Sequence, residues 1–231
     1  MSSGDLTEAG CDGHGNIFCV VGLGNPGARY AATRHNVGFA VIAELAMRFH
    51  AEPERDEGDC RITAVSYAET ALLLCRPWTY MNRSGEAVAR LVREGRIDPS
   101  RTLIVLDDIA LPLGSLRIRR AGSSGGHRGL ASIIGAIGTE DIPRLRCGIG
   151  PLAIGIEAAE FVLAPFEPHE LAAVHDMIDR AASAVESILR EGWERAMSRW
   201  NSIAPTDTVQ PASVQGEDTG RTDAGDISDA F

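Results

Sequence analysis

"IFCVVGLGNPGARYAATRHNVG", residues 17 to 38, joins an apolar run to a glycine-rich turn and then to a polar segment. The run Ile17-Phe18-Cys19-Val20-Val21 holds no polar residue, the pattern of a central strand buried on both faces. Gly22, Gly24 and Gly27 follow at the G-x-G-x-x-G spacing of a dinucleotide-binding turn. Such a turn needs its third glycine to open a helix at once, and an acidic residue ending a second strand about 20 positions on. Here Pro26 removes an N–H that a phosphate cradle would use. Seven residues, Ala28 to Arg34, intervene before His35, and the acid at the right distance, Glu44, falls inside a helical pattern. A nicotinamide or flavin cofactor is therefore not expected. The glycines are read as turn residues that place Asn25 and Tyr30–Asn36 over a sheet.

Outward from this stretch, strand-like and helical patterns alternate. Val37, Val41 and Leu45 recur at helical spacing, with Thr33 or Asn36 as the expected N-cap. "CRITAVSYAETALLLCRP" (60–77) reads as two strands around a turn near Glu69-Thr70. A helix is expected over 81–95, stopped by Gly95. Strands are expected at 102–108 and 115–119 with "ALPLG" as the turn between them. A helix over 127–138, a strand over 144–150, a long helix over 168–191 and a shorter one around Trp193–Trp200 complete the pattern. The fold class is α/β: one domain over residues 17–204, with a mixed central sheet and helices on both faces.

The 231 residues, 44% of them hydrophobic, suffice for one sizeable core or two small ones. The net charge of −10 is concentrated at the ends. Residues 1–16 carry three acids and no base, and residues 205–231 carry six acids against Arg221, so 17–204 hold a net charge of only −2. That near-neutral middle leaves room for a local basic stripe. Both ends, poor in large apolar residues, read as disordered extensions. All 22 basic residues are arginine, which genome composition explains more simply than phosphate recognition; the absence of lysine excludes a Schiff base or a Walker-type lysine. Five cysteines without a C-x-x-C pair fit neither a disulfide framework nor a zinc site, and Cys19, Cys75 and Cys147 are expected as buried thiols. With no signal-peptide pattern and no apolar stretch of bilayer length, a soluble cytoplasmic protein is expected.

Reactive side chains follow the expected strand ends: Asn25 and His35, Asn82 after "WTYM", Asp107 and Asp108 after "TLIVL", and His127 after "AGSSGG". Ligand sites of open α/β sheets gather at the C-terminal ends of strands. Taken singly, Asn82 also fits an N-cap, and the Asp pair also fits a cap or half of a magnesium site.

Together, "VGLGNPGARYAATRHNVG", "WTYMNRSG", "LDDIALPLGSLRIR", "GSSGGHRGL" and "RLRCGIG" resemble bacterial peptidyl-tRNA hydrolase of the single-domain type, in order across about residues 17–200. The resemblance implies cleavage of the ester linking a peptide to the 3′-terminal ribose of tRNA, recycling tRNA from prematurely released chains, with no metal or organic cofactor. It implies His35 as general base for water, a task suited to histidine, and Asp107 as the group orienting its ring. Asn25 is implied to distinguish a peptide from a free α-amine, and Asn82 to orient the carbonyl or the water. Tyr30 and Tyr80 are implied to line the groove for the tRNA 3′ end and peptide, where an aromatic face stacks on a base; Tyr80 also fits core packing beside Trp78. Arg117, Arg119 and Arg146 match phosphate-binding positions, with Arg117 and Arg119 on one strand face, and His127 joins the substrate-binding set. The implied partner is peptidyl-tRNA, the implied state a monomer, and no membrane is involved. Two departures stand out: Arg128 replaces the usual asparagine after the histidine, and Pro151-Leu152 lacks the usual preceding polar residue. Arg128 motivates an alternative, a catalytically silent RNA-binding paralogue.

Overall fold

A computed structural model describes residues 17–152 and 154–202. The expectations for 1–16 and 205–231 lie outside the described residues. In chain order the elements are β1 (Ile17–Gly22), α1 (Val37–Arg48), β2 (Arg55–Asp56), β3 (Cys60–Tyr67), β4 (Thr70–Pro77) and α2 (Ser84–Arg93). Then follow β5 (Thr102–Pro112), β6 (Leu116–Arg119), α3 (Arg128–Ile137), β7 (Arg144–Gly150), α4 (Ala158–Leu163), α5 (Leu171–Glu191) and α6 (Trp193–Trp200). They build one mixed sheet in the order β2-β3-β4-β1-β5-β7-β6. β1 lies parallel between β4 and β5, and β5 is parallel to β7, while β3 and β6 are the antiparallel additions.

The apolar run of β1 is central because both its faces are covered. Phe18 and Val20 enter a core shared with α1, α5 and α6. Cys19 and Val21 point the other way, into a core with α2 and α3. Four cysteines, Cys19, Cys60, Cys75 and Cys147, are free and buried, and burial pushes the Cys19 and Cys147 thiols up, away from the reactive thiolate form.

The glycines of the opening turn serve close packing. A Cβ on Gly22 would lie 2.2 Å from the Gly38 carbonyl oxygen, and one on Gly38 would lie 2.5 Å from the Leu23 amide nitrogen. The end of β1 and the start of α1 therefore touch backbone to backbone. Gly27 alone of the three has a positive φ, 103°.

Several local expectations need correction. Asn36 precedes α1 but makes no side-chain cap, because its amide is engaged with Asn25. Thr33 caps nothing; its hydroxyl donates to the Tyr30 carbonyl. The β3–β4 turn is Ala68-Glu69, one residue earlier than expected, and both residues have positive φ, as a two-residue hairpin loop requires. Asn82 sits inside a single 3-10 turn, and the residue before α2 is Arg83. β5 runs on to Pro112, past an irregularity after Asp108. β2 and α4 have no counterpart among the expected elements. No helix among the described residues is long and apolar enough to cross a membrane.

Candidate active site

Three neighbouring parallel strands deliver the site from their C-terminal ends. β1 leads to Asn25, β4 to Tyr80-Met81-Asn82, and β5 carries Asp107, while His35 stands on a one-turn 3-10 helix, Arg34–Asn36, ahead of α1. The groove they form is about 790 Å³ and is lined by Asn25, His35, Tyr80, Asn82, Asp107 and His127, with Arg119, Arg128 and Arg146 farther along. α4 contributes a side wall through Ala158, Ala159, Val162 and Leu163.

Asp107, 3% exposed, is the hub. His35 Nδ1 lies 2.7 Å from its Oδ1, and His127 Nε2 lies 3.0 Å from the same oxygen. The Leu130 N–H donates to His127 Nδ1 at 3.2 Å, so the His127 proton resides on Nε2 and points at Asp107. Burial works against a charged Asp107, but the hydrogen bonds from His127 and His35 outweigh it, and its carboxyl is held well below the usual carboxylate range. The ionised Asp107 accepts the His35 Nδ1–H and leaves Nε2 of His35 with a free lone pair.

Asn25 is equally constrained. Its N–H donates to Asn36 Oδ1 at 2.8 Å, and Asn36 Nδ2 returns a hydrogen bond to its carbonyl at 3.0 Å. The Met81 N–H donates to Asn25 Oδ1 at 2.8 Å. That bond commits the acceptor half of the amide and leaves Nδ2 as a donor. Asn36, expected as a helix cap, and Met81, to which the sequence assigned no role, thus fix the orientation of Asn25. Their signal is long-range pairing, invisible in local spacing.

The arginines of β6 and β7 are unequally available. Across the β6–β7 pair Arg117 faces Arg146 and Arg119 faces Arg144. Arg146 is ion-paired with Asp108, whose other oxygen accepts the Ala110 N–H, so Asp108 caps no helix and has both oxygens engaged. Arg144 is buried and donates to carbonyls of Ile142, Gly122, Ser123 and Glu140, holding the loop that precedes His127. Arg119 is exposed at the groove. Arg117 and Tyr30 do not line the groove; Tyr30 instead lies under the Arg29 guanidinium, 4.4 Å from its ring centroid. Tyr80 is 54% exposed and lines the groove, so core packing beside Trp78 is not its environment.

A family model described as peptidyl-tRNA hydrolase matches residues 19–208. The chain belongs to the peptidyl-tRNA hydrolase family. A relative named peptidyl-tRNA hydrolase from Chloroflexus aurantiacus is 45% identical over 188 residues, covering 81% of this chain and 100% of the relative. One of the same name from Aquifex aeolicus is 42% identical, covering 80% of this chain and 97% of its own length. The crystal structure of peptidyl-tRNA hydrolase from Acinetobacter baumannii superposes with a TM-score of 0.77 at 33% identity, over 83% of this chain and 97% of that one. The mixed seven-stranded sheet is thus the fold of solved peptidyl-tRNA hydrolases.

Whether the histidine pair of this peptidyl-tRNA hydrolase family member suits a metal is decided by its donors. His35, Asp107 and His127 each bring a ligand atom within 4.8 Å of the others. A metal needs an unprotonated ring nitrogen. His127 Nδ1 already accepts from Leu130, so freeing Nε2 of its proton would break the bond that starts α3. The set fits a carboxylate receiving two N–H groups better than it fits a cation.

Proposed function

We propose that this chain hydrolyses the ester between a peptide and the 3′-terminal ribose of tRNA, recycling tRNA from prematurely released chains. One observation carries the reading: His35 Nδ1 lies 2.7 Å from Asp107, which leaves Nε2 basic in a residue that lines the groove. In the proposed reaction Nε2 takes a proton from water while the water oxygen bonds to the ester carbonyl carbon. The carbonyl oxygen becomes an oxyanion, and Asp107 stabilises the imidazolium. Collapse of the intermediate breaks the bond to the ribose oxygen, which recovers the proton from His35. The products are a tRNA 3′-hydroxyl and a peptide carboxylic acid, which releases its proton to solvent to become the carboxylate, so water is the only co-reactant.

Asn25 offers Nδ2 to the substrate, either at the developing oxyanion or at the peptide, where it separates a peptide from a free α-amine. A donor placed at the oxyanion is worth about 3 kcal/mol of barrier. Asn82 orients the carbonyl or the water, His127 helps position the substrate beside Asp107, and Tyr80 stacks on the terminal base. Arg119 meets phosphates directly, Arg146 does so by exchanging its ion pair with Asp108 for a phosphate, and Arg117 extends that stripe beyond the groove. Tyr30, outside the groove lining, is given no contact there. The catalytic unit spans 17–204, with 1–16 and 205–231 as appended ends. In this reading it acts in the cytoplasm, where its tRNA substrate is, and as a monomer, a state supported by one chain's described residues supplying every group the step uses. The silent-paralogue alternative draws no support from a site with His35 and Asp107 assembled.

The test is release of N-acetyl-amino acid from N-acetyl-aminoacyl-tRNA in the presence of EDTA. Turnover by the wild type and its loss in His35→Ala are expected. Tight tRNA binding without turnover, or a fully active His35→Ala, overturns the reading.

A further inference from the structure

The 3-10 turn that carries His35 is also fastened to the side wall of the groove. Arg34, 5% exposed, forks onto Glu170, with one guanidinium nitrogen 3.1 Å from Oε1 and the other 2.6 Å from Oε2. Its guanidinium packs on the rings of Phe161 and Phe166, 4.5 and 4.7 Å from their centroids. Its backbone N–H donates to the Ala164 carbonyl at 3.0 Å, and Thr33 bridges to Pro165. The Glu167 N–H holds the Glu170 carboxylate at 2.7 Å. All these partners fall within residues 161–170, which begin in α4 and end at the start of α5.

α4 has little else to hold it. It is six residues long and contains no buried residue, so neither its own length nor an apolar face sunk in the core fixes its position. Yet four of its six residues line the groove, all of them uncharged. The position of that wall relative to His35 is therefore set by contacts made through the neighbouring residue, Arg34.

We infer that Arg34 is a positioning residue: by gripping Glu170, Phe161 and Phe166 it holds the α4 wall against the His35 turn and sets the width of the groove for the uncharged, peptidyl part of the substrate. The inference rests on the proposed hydrolase reading. The Arg34 side chain makes its hydrogen bonds and ring contacts with Glu170, Phe161 and Phe166 and none with Asp107 or His35, so it acts on how substrate is held and leaves proton transfer alone. A planar fork that also stacks on rings is a task lysine performs poorly.

The experiment compares wild type with Glu170→Gln, Arg34→Lys and Arg34→Ala on N-acetyl-aminoacyl-tRNA, alongside hydrogen–deuterium exchange without substrate. Expected are a KM raised about tenfold in Arg34→Ala, less in the two conservative variants, and kcat within about twofold of wild type, matching a loss of substrate binding that leaves chemistry intact. Exchange should rise across 158–163 while the 144–150 strand stays protected. If Arg34→Ala does not fold, Glu170→Gln decides. A fall in kcat at unchanged KM, or unchanged exchange across α4 in Glu170→Gln, overturns the inference. A wild type without turnover defeats the hydrolase reading instead, and the exchange result still reports on the grip itself.

Discussion

His35 Nδ1 and Asp107 Oδ1 lie 2.7 Å apart although 72 residues separate them in sequence. Asp107 can only accept, so it dictates which ring nitrogen of His35 carries the proton and which is left basic. Asp107→Asn keeps the shape but presents an amide that can donate to Nδ1, favouring the tautomer with a protonated, useless Nε2. Single-turnover hydrolysis of N-acetyl-aminoacyl-tRNA by Asp107→Asn should fall by about 10,000-fold, the scale of the same change in a serine-protease triad. His35→Ala, which removes the base, should lose between about 100-fold and 10,000-fold. Retention of wild-type rates by either variant would contradict the assignment.

His127 shares the Asp107 oxygen and also receives the Leu130 N–H at the start of α3. Two variants separate these duties. Asparagine is a strong N-cap, so His127→Asn keeps the helix start while removing the donor to Asp107; His127→Ala loses both, at a further cost of about 1 kcal/mol. The pH dependence has a definite sign. Burial opposes charge on Asp107, the bonds from His127 and His35 outweigh it, and the folded pKa lies below the unfolded one. The resulting stability is complete above the unfolded value of about 4 and disappears as pH falls through the folded value. Removing one donor raises the folded value toward the unfolded one, so thermal melts of His127→Asn should lose less stability on acidification below about pH 4 than the wild type and level off at a higher pH. Superimposable melting curves across the acid range would refute the shared-oxygen arrangement.

What is legible in the sequence follows physical range. The run 17–21 announces a central strand because burial on both faces leaves no polar position, and β1 does sit between β4 and β5. Of the glycines of the G-x-G-x-x-G spacing, Gly22 answers to Gly38 and Gly24 to Phe39, whose ring lies 2.7 Å from where a Cβ on Gly24 would sit, while Gly27 answers to its positive φ. Asn36 resembles a cap because a residue before a helix looks the same whether its amide serves that helix or a strand end 11 residues earlier. Arg144 and Arg146 look alike in "RLRCGIG", yet one is spent on loop carbonyls and the other on Asp108, a distinction made by loop closure and by the register of β5 against β7. α4 is invisible in the pattern because a six-residue helix without a buried face leaves no periodic trace.

The backbone contact between β1 and α1 gives a stability prediction with an internal control. In Gly22→Ala the new methyl meets the Gly38 carbonyl oxygen at 2.2 Å and the Ile42 side chain at 2.5 Å, and the Gly38 oxygen cannot retreat without moving α1. The variant should lose about 1–3 kcal/mol in denaturant melts. Because α1 follows directly on the His35 turn, activity should fall as well at temperatures where the protein remains folded. Gly135, inside α3, has nothing within 4 Å of the place an added methyl would occupy. Gly135→Ala should therefore gain about 0.4–1 kcal/mol, since alanine restricts the unfolded chain and favours helix. Equal effects of the two changes would show that close approach does not decide the glycine at position 22.

Arg144 and Arg119 face each other across β6 and β7, but they should fail in different ways. Arg144 is 3% exposed and bonds carbonyls of Gly122, Ser123, Ile142 and Glu140, so it closes the loop leading to His127. Arg144→Ala strands the buried Ile142 carbonyl, worth about 1–3 kcal/mol when left unpaired, and releases the Gly122, Ser123 and Glu140 carbonyls, so it should lower the melting temperature and weaken catalysis together. Arg119 is exposed at the groove, so Arg119→Ala should leave the melting temperature unchanged and raise KM for the tRNA substrate. If Arg119 neutralises one phosphate, the slope of log affinity against log salt should shrink by about 0.7 to 0.9. Affinity for uncharged tRNA, titrated at several salt concentrations beside thermal melts, separates the two arginines. A salt slope unaltered in Arg119→Ala removes this residue from the phosphate contacts, whatever the melting data give for Arg144.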